Sequence, residues 1–255
     1  MQFVDTVIDG SGPHLDRFFT YRVPAELRGE VRVGQYVRVP WGKKERGALV
    51  YRFREALPAG LADGEVKALS SVCDPRPILG ELQWRLVAWL REFYFGTWSE
   101  AVRCLVPGPV LQGLRKCSKP RAEKGSEKAD LVREAPELTA VQLAVWQRLQ
   151  EGLSEGKTFL LHGVTGSGKT ELYLRATQWM LERGKSVLVL VPEVALTPQA
   201  RERYRSRFEG VVSILHSGLT DSQRRRQWWR IRDGEAKVVV GTRSAIFAPL
   251  KECGL

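Results

Sequence analysis

Eight consecutive residues, Gly163-Val164-Thr165-Gly166-Ser167-Gly168-Lys169-Thr170, match the pattern G-x-x-x-x-G-K-[ST]. Each fixed position has a task in holding a triphosphate. Gly163, Gly166 and Gly168 let the backbone wrap closely, so that the N–H groups of the loop, those of Val164, Thr165 and Ser167 included, point at phosphate oxygens. A helix opening near Lys169 adds its positive end. Lys169 reaches the β- and γ-phosphates as a point charge, and the Thr170 hydroxyl is placed to ligate Mg2+. ATP with Mg2+ is therefore the expected cofactor, with Lys169 and Thr170 the expected catalytic side chains. The alternative, a glycine turn beside a stray lysine, fits poorly because an apolar segment precedes the loop and a helical one follows.

Binding is not hydrolysis, which also needs an acid to hold the metal and a group to place water. Glu193 ends an apolar strand downstream of the loop, but it lacks the apolar-run-then-Asp pattern of such an acid. The four cysteines, Cys73, Cys104, Cys117 and Cys253, show no C-x2-C spacing. Zinc is not expected, and the thiols read as isolated and reduced.

The loop needs a scaffold, and the chain after Pro136 supplies an alternation of strand and helix. Strands are expected at 158–162, 186–191, 211–215 and 237–240, with helices at 169–181, 197–208 and 221–232. Apolar strands alternating with helices imply a parallel sheet covered on both faces, here a RecA-like α/β lobe. Before it, 18–24, 34–41 and 47–53 are β-branched and aromatic, and predict a small twisted sheet or open barrel. Residues 79–95 change to a helical period, with Leu82, Leu86, Trp89, Leu90 and Phe93 on one face. The stretch 111–135 loses its aromatics and gains charge, which is linker composition. The organisation expected is thus a small β-rich domain with helices over 1–110, a charged joint over 111–135, and a P-loop lobe over 136–255.

The net charge of +11 favours a polyanionic partner. Its distribution is uneven: residues 1–110 carry 15 basic and 13 acidic side chains, 111–135 carry 7 and 4, and 136–255 carry 18 and 12. Most of the excess lies with the P-loop and the segment leading into it, as a phosphate-rich ligand requires. With no basic-then-apolar leader and no apolar run near ~20 residues, a secreted or membrane-spanning protein is not expected. The chain reads as cytoplasmic.

Residues 158–250 resemble the first motor lobe of the primosomal protein N′ family of bacterial replication-restart helicases (superfamily 2). The carrying residues are GVTGSGKTELYL (163–174), VPEVALTPQ (191–199), LHSGL (215–219) and GTRSAIFAP (241–249). The N-terminal part resembles that family's DNA 3′-end-binding domain through RFFTYRVP (17–24), VGQYVRVPWGKKERGALV (33–50), EVKALSSVCD (65–74) and FYFGTWSEAVRCLVP (93–107). The resemblance implies that Phe19, Thr20, Gly42 and Lys67 line a pocket for a DNA terminus. Thr20 stands where the family usually has an aspartate. It also implies that 191–199 and 241–249 run along single-stranded DNA, where Thr197, Gln199, Arg243 and Ser244 contact phosphates. Thr197 would double as a helix cap. Gln142 falls where related helicases place an adenine-contacting glutamine, and it suits an exposed helix position equally well. The run Arg224–Arg226 reads as a solvated helix face, and of Trp228 and Trp229 one is expected outside the core.

Two departures from the family stand out. Residues 111–135 are too few for its winged-helix domain, and its acidic Asp-Glu-x-His motif and second lobe would lie beyond Leu255. The expected partners are forked and single-stranded DNA, other primosome proteins and single-strand-binding protein. The expected role is fork binding, primosome assembly and ATP-driven unwinding, of which this chain carries the DNA- and ATP-binding portion. A non-enzymatic fork-binding adaptor is the alternative, although it has no obvious need for Lys169 and Thr170. A P-loop transport or signalling ATPase would leave the basic excess unexplained.

Overall fold

The computed structural model describes residues 2–116 and 135–255. The chain divides into two compact units, Met1–Lys124 and Gly125–Leu255.

The first unit is an antiparallel sheet followed by three helices. Its strands are β1 (Phe3–Ile8), β2 (Phe19–Arg22), β3 (Tyr36–Trp41), β4 (Lys44–Arg54) and β5 (Ser71–Val72), in the order β2-β1-β4-β3-β5. The segment around Lys67–Val72 reaches both ends of this order. Arg22 N–H donates to Lys67 O, and Leu69 N–H to Arg22 O, both at 2.9 Å, while β5 pairs with β3. The sheet is thereby closed into a barrel, which leaves few unpaired edge groups. Val4, Ile8, Val37, Val39 and Val50 fill its interior.

The sequence reading anticipates β2, β3 and β4 but not β1, a central strand buried at every position. Asp5 and Thr6 break its apolar pattern, and both are buried because each has partners. Thr6 Oγ1 donates to Phe19 O, and Asp5 accepts from Thr20 Oγ1 at 2.8 Å, Arg52 Nε at 2.7 Å and Arg54 Nε at 2.6 Å. Burial alone would raise the Asp5 pKa, but the bonds from Arg52, Arg54 and Thr20 together hold it below the ordinary carboxylate value.

The helices are α1 (Glu81–Tyr94), α2 (Trp98–Leu105) and α3 (Gly108–Arg115). The apolar face expected for α1 is only partly the packed one: Leu90 is buried and Leu86 half-buried as expected. Trp84, Val87 and Leu90 are buried, whereas Leu82, Trp89 and Phe93 are 72%, 50% and 60% exposed. The helix is apolar on two sides, so periodicity alone does not select the packed one. On the outer side Trp89 stacks on Phe93 with centroids 5.0 Å apart. Helix α3 runs to Arg115, past residue 110 where composition places the start of the joint. The remainder of that joint, and the missing winged helix inferred there, lie largely outside the described residues. Cys73 is disulfide-bonded, against the reading of four isolated thiols, while Cys104 and Cys253 are free and exposed.

The second unit comprises α4 (Ala140–Ser154), α5 (Lys169–Glu182), β6 (Val187–Leu190), α6 (Pro198–Arg207), β7 (Val212–Leu215), α7 (Asp221–Asp233) and β8 (Val238–Gly241). Its sheet is parallel with order β6-β8-β7. Val238, Val239 and Val240 on the middle strand are all essentially inaccessible, as a parallel sheet covered on both faces requires. Apart from α4, for which no span was expected, these elements match the expected ones within a residue or two. The exception is the strand expected at 158–162, which has no strand geometry, with Leu160 91% exposed. A strand exists only by pairing, and the outer edge of β6 is taken: Ser186 N–H donates to Glu252 O and Leu188 N–H to Leu255 O. Trp228 is buried and Trp229 half-buried, edge-on to it at 5.0 Å, as the adjacency of the two positions demands. Among the described residues no helix is long and apolar enough to cross a membrane.

Candidate functional site

The P-loop has the backbone that its glycines predict. Gly166 and Gly168 sit at φ of +83° and +84°, left-handed conformations that a side chain would strain. Gly168 is the N-cap of α5, so the helix begins at Lys169 with its first N–H groups facing the loop. A Cβ at Gly163 would lie 2.8 Å from Ser167 Oγ, which shows how tightly the loop turns. Lys169 folds across the loop, its Nζ donating to Gly163 O and, at 2.9 Å, to Val164 O. Thr170 is half-buried in the first turn of α5. Val164, Thr165, Gly166 and Ser167 are exposed. The cradle, the ammonium and the hydroxyl fit a Mg2+-triphosphate: the loop amides and Lys169 would hold the phosphates and Thr170 the metal.

Gln142 is brought onto this loop. Its Oε1 accepts from Thr139 N–H, closing a capping box on α4, and its Nε2 lies 3.3 Å from Ser167 O. A Cβ on Gly168 would fall 2.1 Å from that Nε2. The glutamine is therefore not a free helix position, because it ties the start of α4 to the phosphate loop.

The parallel register sets a second constellation. Leu190, Gly241 and Leu215 are level across β6, β8 and β7, so the loops that follow them share the C-terminal edge of the sheet. Ligands of open parallel sheets bind at such edges. The loop after β6 carries Glu193 and leads to Thr197, whose side chain accepts from Ala200 N–H as the N-cap of α6. Gln199 lies exposed in the first turn of that helix. After β8, Arg243 and Ser244 open a short 3-10 helix. Arg243, 93% exposed, lies 3.3 Å from Glu193 Oε1. A backbone hydrogen bond and then the Arg243 charge hold the Glu193 carboxyl below its ordinary pKa. Glu193 thus faces Arg243 across an exposed ion pair. Arg224, expected on a solvated face, is half-buried, with Nη2 3.3 Å from Ser217 O.

In the first unit, β2 splits the expected end-binding residues between two faces. Phe19 packs against the barrel core and lies edge-on to Trp41 at 5.0 Å, beside the turn residue Gly42 (φ +59°). Thr20 points the opposite way, with its hydroxyl proton committed to Asp5. Lys67 belongs to the segment that closes the barrel against β2. The sequence reading missed Asp5, Arg52 and Arg54 around Thr20; the register Asp5↔Thr20 and Asp5↔Arg52 becomes visible only once β1 is placed between β2 and β4.

Two family models match the chain: the 3′ DNA-binding domain (3′BD) of PriA over residues 6–107, and the DEAD/DEAH box helicase over residues 139–254. The replication restart protein PriA of Treponema pallidum is 37% identical over 247 residues, which is 94% of this chain and 36% of the relative. That of Bacillus subtilis is 48% identical over 120 residues, 46% of this chain and 15% of the relative. That of Haemophilus influenzae is 28% identical over 309 residues, 94% of this chain and 42% of the relative. The chain thus spans 36% to 42% of the length of the relatives that align along it. The Treponema and Haemophilus alignments cover the same share of this chain but run to 247 and 309 residues, so the second relative carries additional residues inside the matched region.

Proposed function

This chain belongs to the PriA family of replication restart proteins, and from that premise we propose that it binds forked and single-stranded DNA together with Mg2+-ATP, in the service of primosome assembly and duplex unwinding. The observation that carries the ATP half is the phosphate loop itself. Gly166 and Gly168 hold left-handed backbone, Lys169 lies across the mouth, and Gln142 is laid on the loop. Gly163 to Thr170 hold the nucleotide, with Lys169 on the phosphates and Thr170 on the metal. Thr197, Gln199, Arg243 and Ser244 contact the backbone of a single strand along the sheet edge, without reading its sequence. Phe19, Thr20, Gly42 and Lys67 serve a DNA terminus in the first unit. The primosome proteins and single-strand-binding protein are the protein partners, and the cytoplasm, at the nucleoid, is the compartment. Because Glu193 lacks the apolar-run-then-Asp pattern of a metal-holding acid, the chain is read as a binder of ATP and DNA whose turnover needs an acid placed elsewhere.

The test is ATP hydrolysis and fork binding by this chain, with and without single-stranded and forked DNA. Bound fork DNA with affinity that responds to ATP, and without DNA-stimulated turnover, is the expected result. Turnover stimulated by DNA would restore Glu193 as a base. Fork binding indifferent to ATP would favour the adaptor reading.

The Glu193–Arg243 pair gives a further expected outcome. Exposed ion pairs contribute about 0.2–1 kcal/mol, and the Glu193 carboxylate opposes a DNA phosphate approaching Arg243. Glu193→Gln is expected to tighten binding of a labelled oligo-dT by about two- to fivefold at low salt. An unchanged or weaker affinity in fluorescence anisotropy would remove Arg243 from the DNA track.

A further inference from the structure

The strand β7 ends at Leu215, level with Leu190 and Gly241, so His216 stands on the same sheet edge as the loops after β6 and β8. Both of its ring nitrogens face donors. Gly218 N–H points at Nδ1 from 3.2 Å, and Arg201 Nη1 lies 3.3 Å from Nε2. A neutral imidazole has a single lone pair, and a guanidinium has no acceptor at all. The one lone pair can accept from Gly218 N–H or from Arg201 Nη1, and in either tautomer the other contact sets donor against donor. Protonating the ring only worsens this, and the environment opposes it: burial, then the charges of Arg201, Arg224 and Arg205, hold the His216 pKa below its ordinary value.

A second atom at the same place lacks a partner. Arg201 Nε is buried with no hydrogen-bond acceptor. Arg201 and Arg205 come from α6 and Arg224 from α7, where Arg224 Nη2 also approaches Leu219 O at 3.5 Å and so braces the turn after His216. Among the described residues no carboxylate pairs with Arg201 or His216. Buried donors without acceptors are costly, about 1–3 kcal/mol each, and more for charged groups. An oxyanion would remove the conflict, accepting from His216 Nε2–H and from Arg201 in place of their mutual contact.

We propose that His216 and Arg201, with Arg205 and Arg224 beside them, form an oxyanion site whose occupant is a backbone phosphate of single-stranded DNA. The assignment rests on the reading of this sheet edge as a DNA track, and it extends that track from the loops after β6 and β8 to the loop after β7. The site is sequence-independent, since it offers donors and charge but nothing that distinguishes one base from another.

The experiment uses the full chain with labelled dT20, and compares wild type with Arg201→Gln, His216→Ala and a control on α4, Arg148→Gln, which removes the same charge from an exposed position in the same unit. Arg201→Gln is expected to weaken binding about tenfold and to lower the slope of log K against log salt by about one. His216→Ala is expected to weaken binding several-fold, with Arg148→Gln near wild type. In 15N NMR, His216 Nε2 is expected to shift on addition of dT10. Wild-type affinity in both site variants, with DNA still bound, would overturn the site while leaving the DNA track in place. No binding of dT20 by the wild type would overturn both. A shift of His216 with inorganic phosphate or ATP but not with dT10 would overturn the assignment to DNA. Should Arg201→Gln fail to fold, His216→Ala and the NMR titration still decide.

Discussion

Replacing Lys169 with alanine is expected to weaken Mg2+-ATP binding by a hundredfold or more, and to leave oligo-dT affinity in the absence of nucleotide unchanged. The ammonium already lies over the loop mouth, held by Gly163 O and Val164 O, and these carbonyl contacts are exchanged for phosphate oxygens when a triphosphate enters. Hydrogen bonds to charged groups contribute about 1.5–3 kcal/mol each, and each 1.4 kcal/mol is about tenfold in affinity. Two such bonds to the β- and γ-phosphates account for the loss. Because the Lys169 ammonium bonds only to carbonyls of the exposed loop, Gly163 O and Val164 O, the variant should melt as the wild type does. Titration calorimetry with ATP and Mg2+ measures the effect. An affinity within a few-fold of wild type would place the nucleotide somewhere other than this loop. Withholding Mg2+ from the wild type is a milder version of the same test, removing the ion that Thr170 is placed to hold.

The second large effect is expected in the first unit, where Asp9→Ala should destabilise the barrel by about 3 kcal/mol. The Asp9 side chain is 3% exposed and receives two hydrogen bonds from Arg115 at 2.7 Å and one from the Tyr36 hydroxyl at 2.7 Å, with Arg103 3.8 Å away. Arg115 is half-exposed and can turn to water, which recovers part of what its two charged hydrogen bonds contribute. Tyr36 is fully buried and cannot, which leaves a hydroxyl without a partner at about 1–3 kcal/mol, added to the charged hydrogen bonds removed. For a unit of this size the melting temperature should fall by about 10 °C or more. The melting transition of the second unit should not move, and a shift shared by both would contradict the assignment to the barrel alone.

Asp9 also makes the unit acid-sensitive. Burial pushes its pKa up, yet the hydrogen bonds from Arg115 and Tyr36 and the two arginine charges outweigh that and hold it below the ordinary carboxylate value. A carboxyl whose folded pKa is depressed stabilises fully above its unfolded pKa of about 3.9, and the gain is lost as pH falls through the folded value. Asp5 acts in the same direction. The barrel should therefore lose stability as pH falls below about 4, and Asp9→Ala should flatten that dependence.

Much of the second unit was legible because periodicity and chemistry agreed there. The run 187–191 is continuously apolar, the P-loop announces its own turn and helix, and Thr197 stands where a cap is needed. The strand expected at 158–162 misled because an apolar run states a preference for burial, whereas a strand needs a free edge, and β6 gives its edge to 252–255. In the first unit β1 was hidden by Asp5, whose burial depends on arginines almost fifty residues away in the sequence. For α1, two apolar faces compete, and only packing against the barrel decides between them. The turn of the P-loop and the helix after it were readable, whereas the conformation of the segment before it was not. Nor was the position of Gln142 against Ser167, because it depends on how α4 meets the loop.

The segment that closes the barrel joins Arg22 to Lys67 and Leu69, with β3 and β4 lying between them along the chain. In kinetic terms this is a late contact. The hairpin of β3 and β4 can form from neighbours, but the seam must wait until both ends of a long loop have been brought together. The same contact is then the natural place for the barrel to breathe. Amide exchange at Leu69, whose N–H is bonded across the seam, would report local opening before any loss of the β1–β4 ladder.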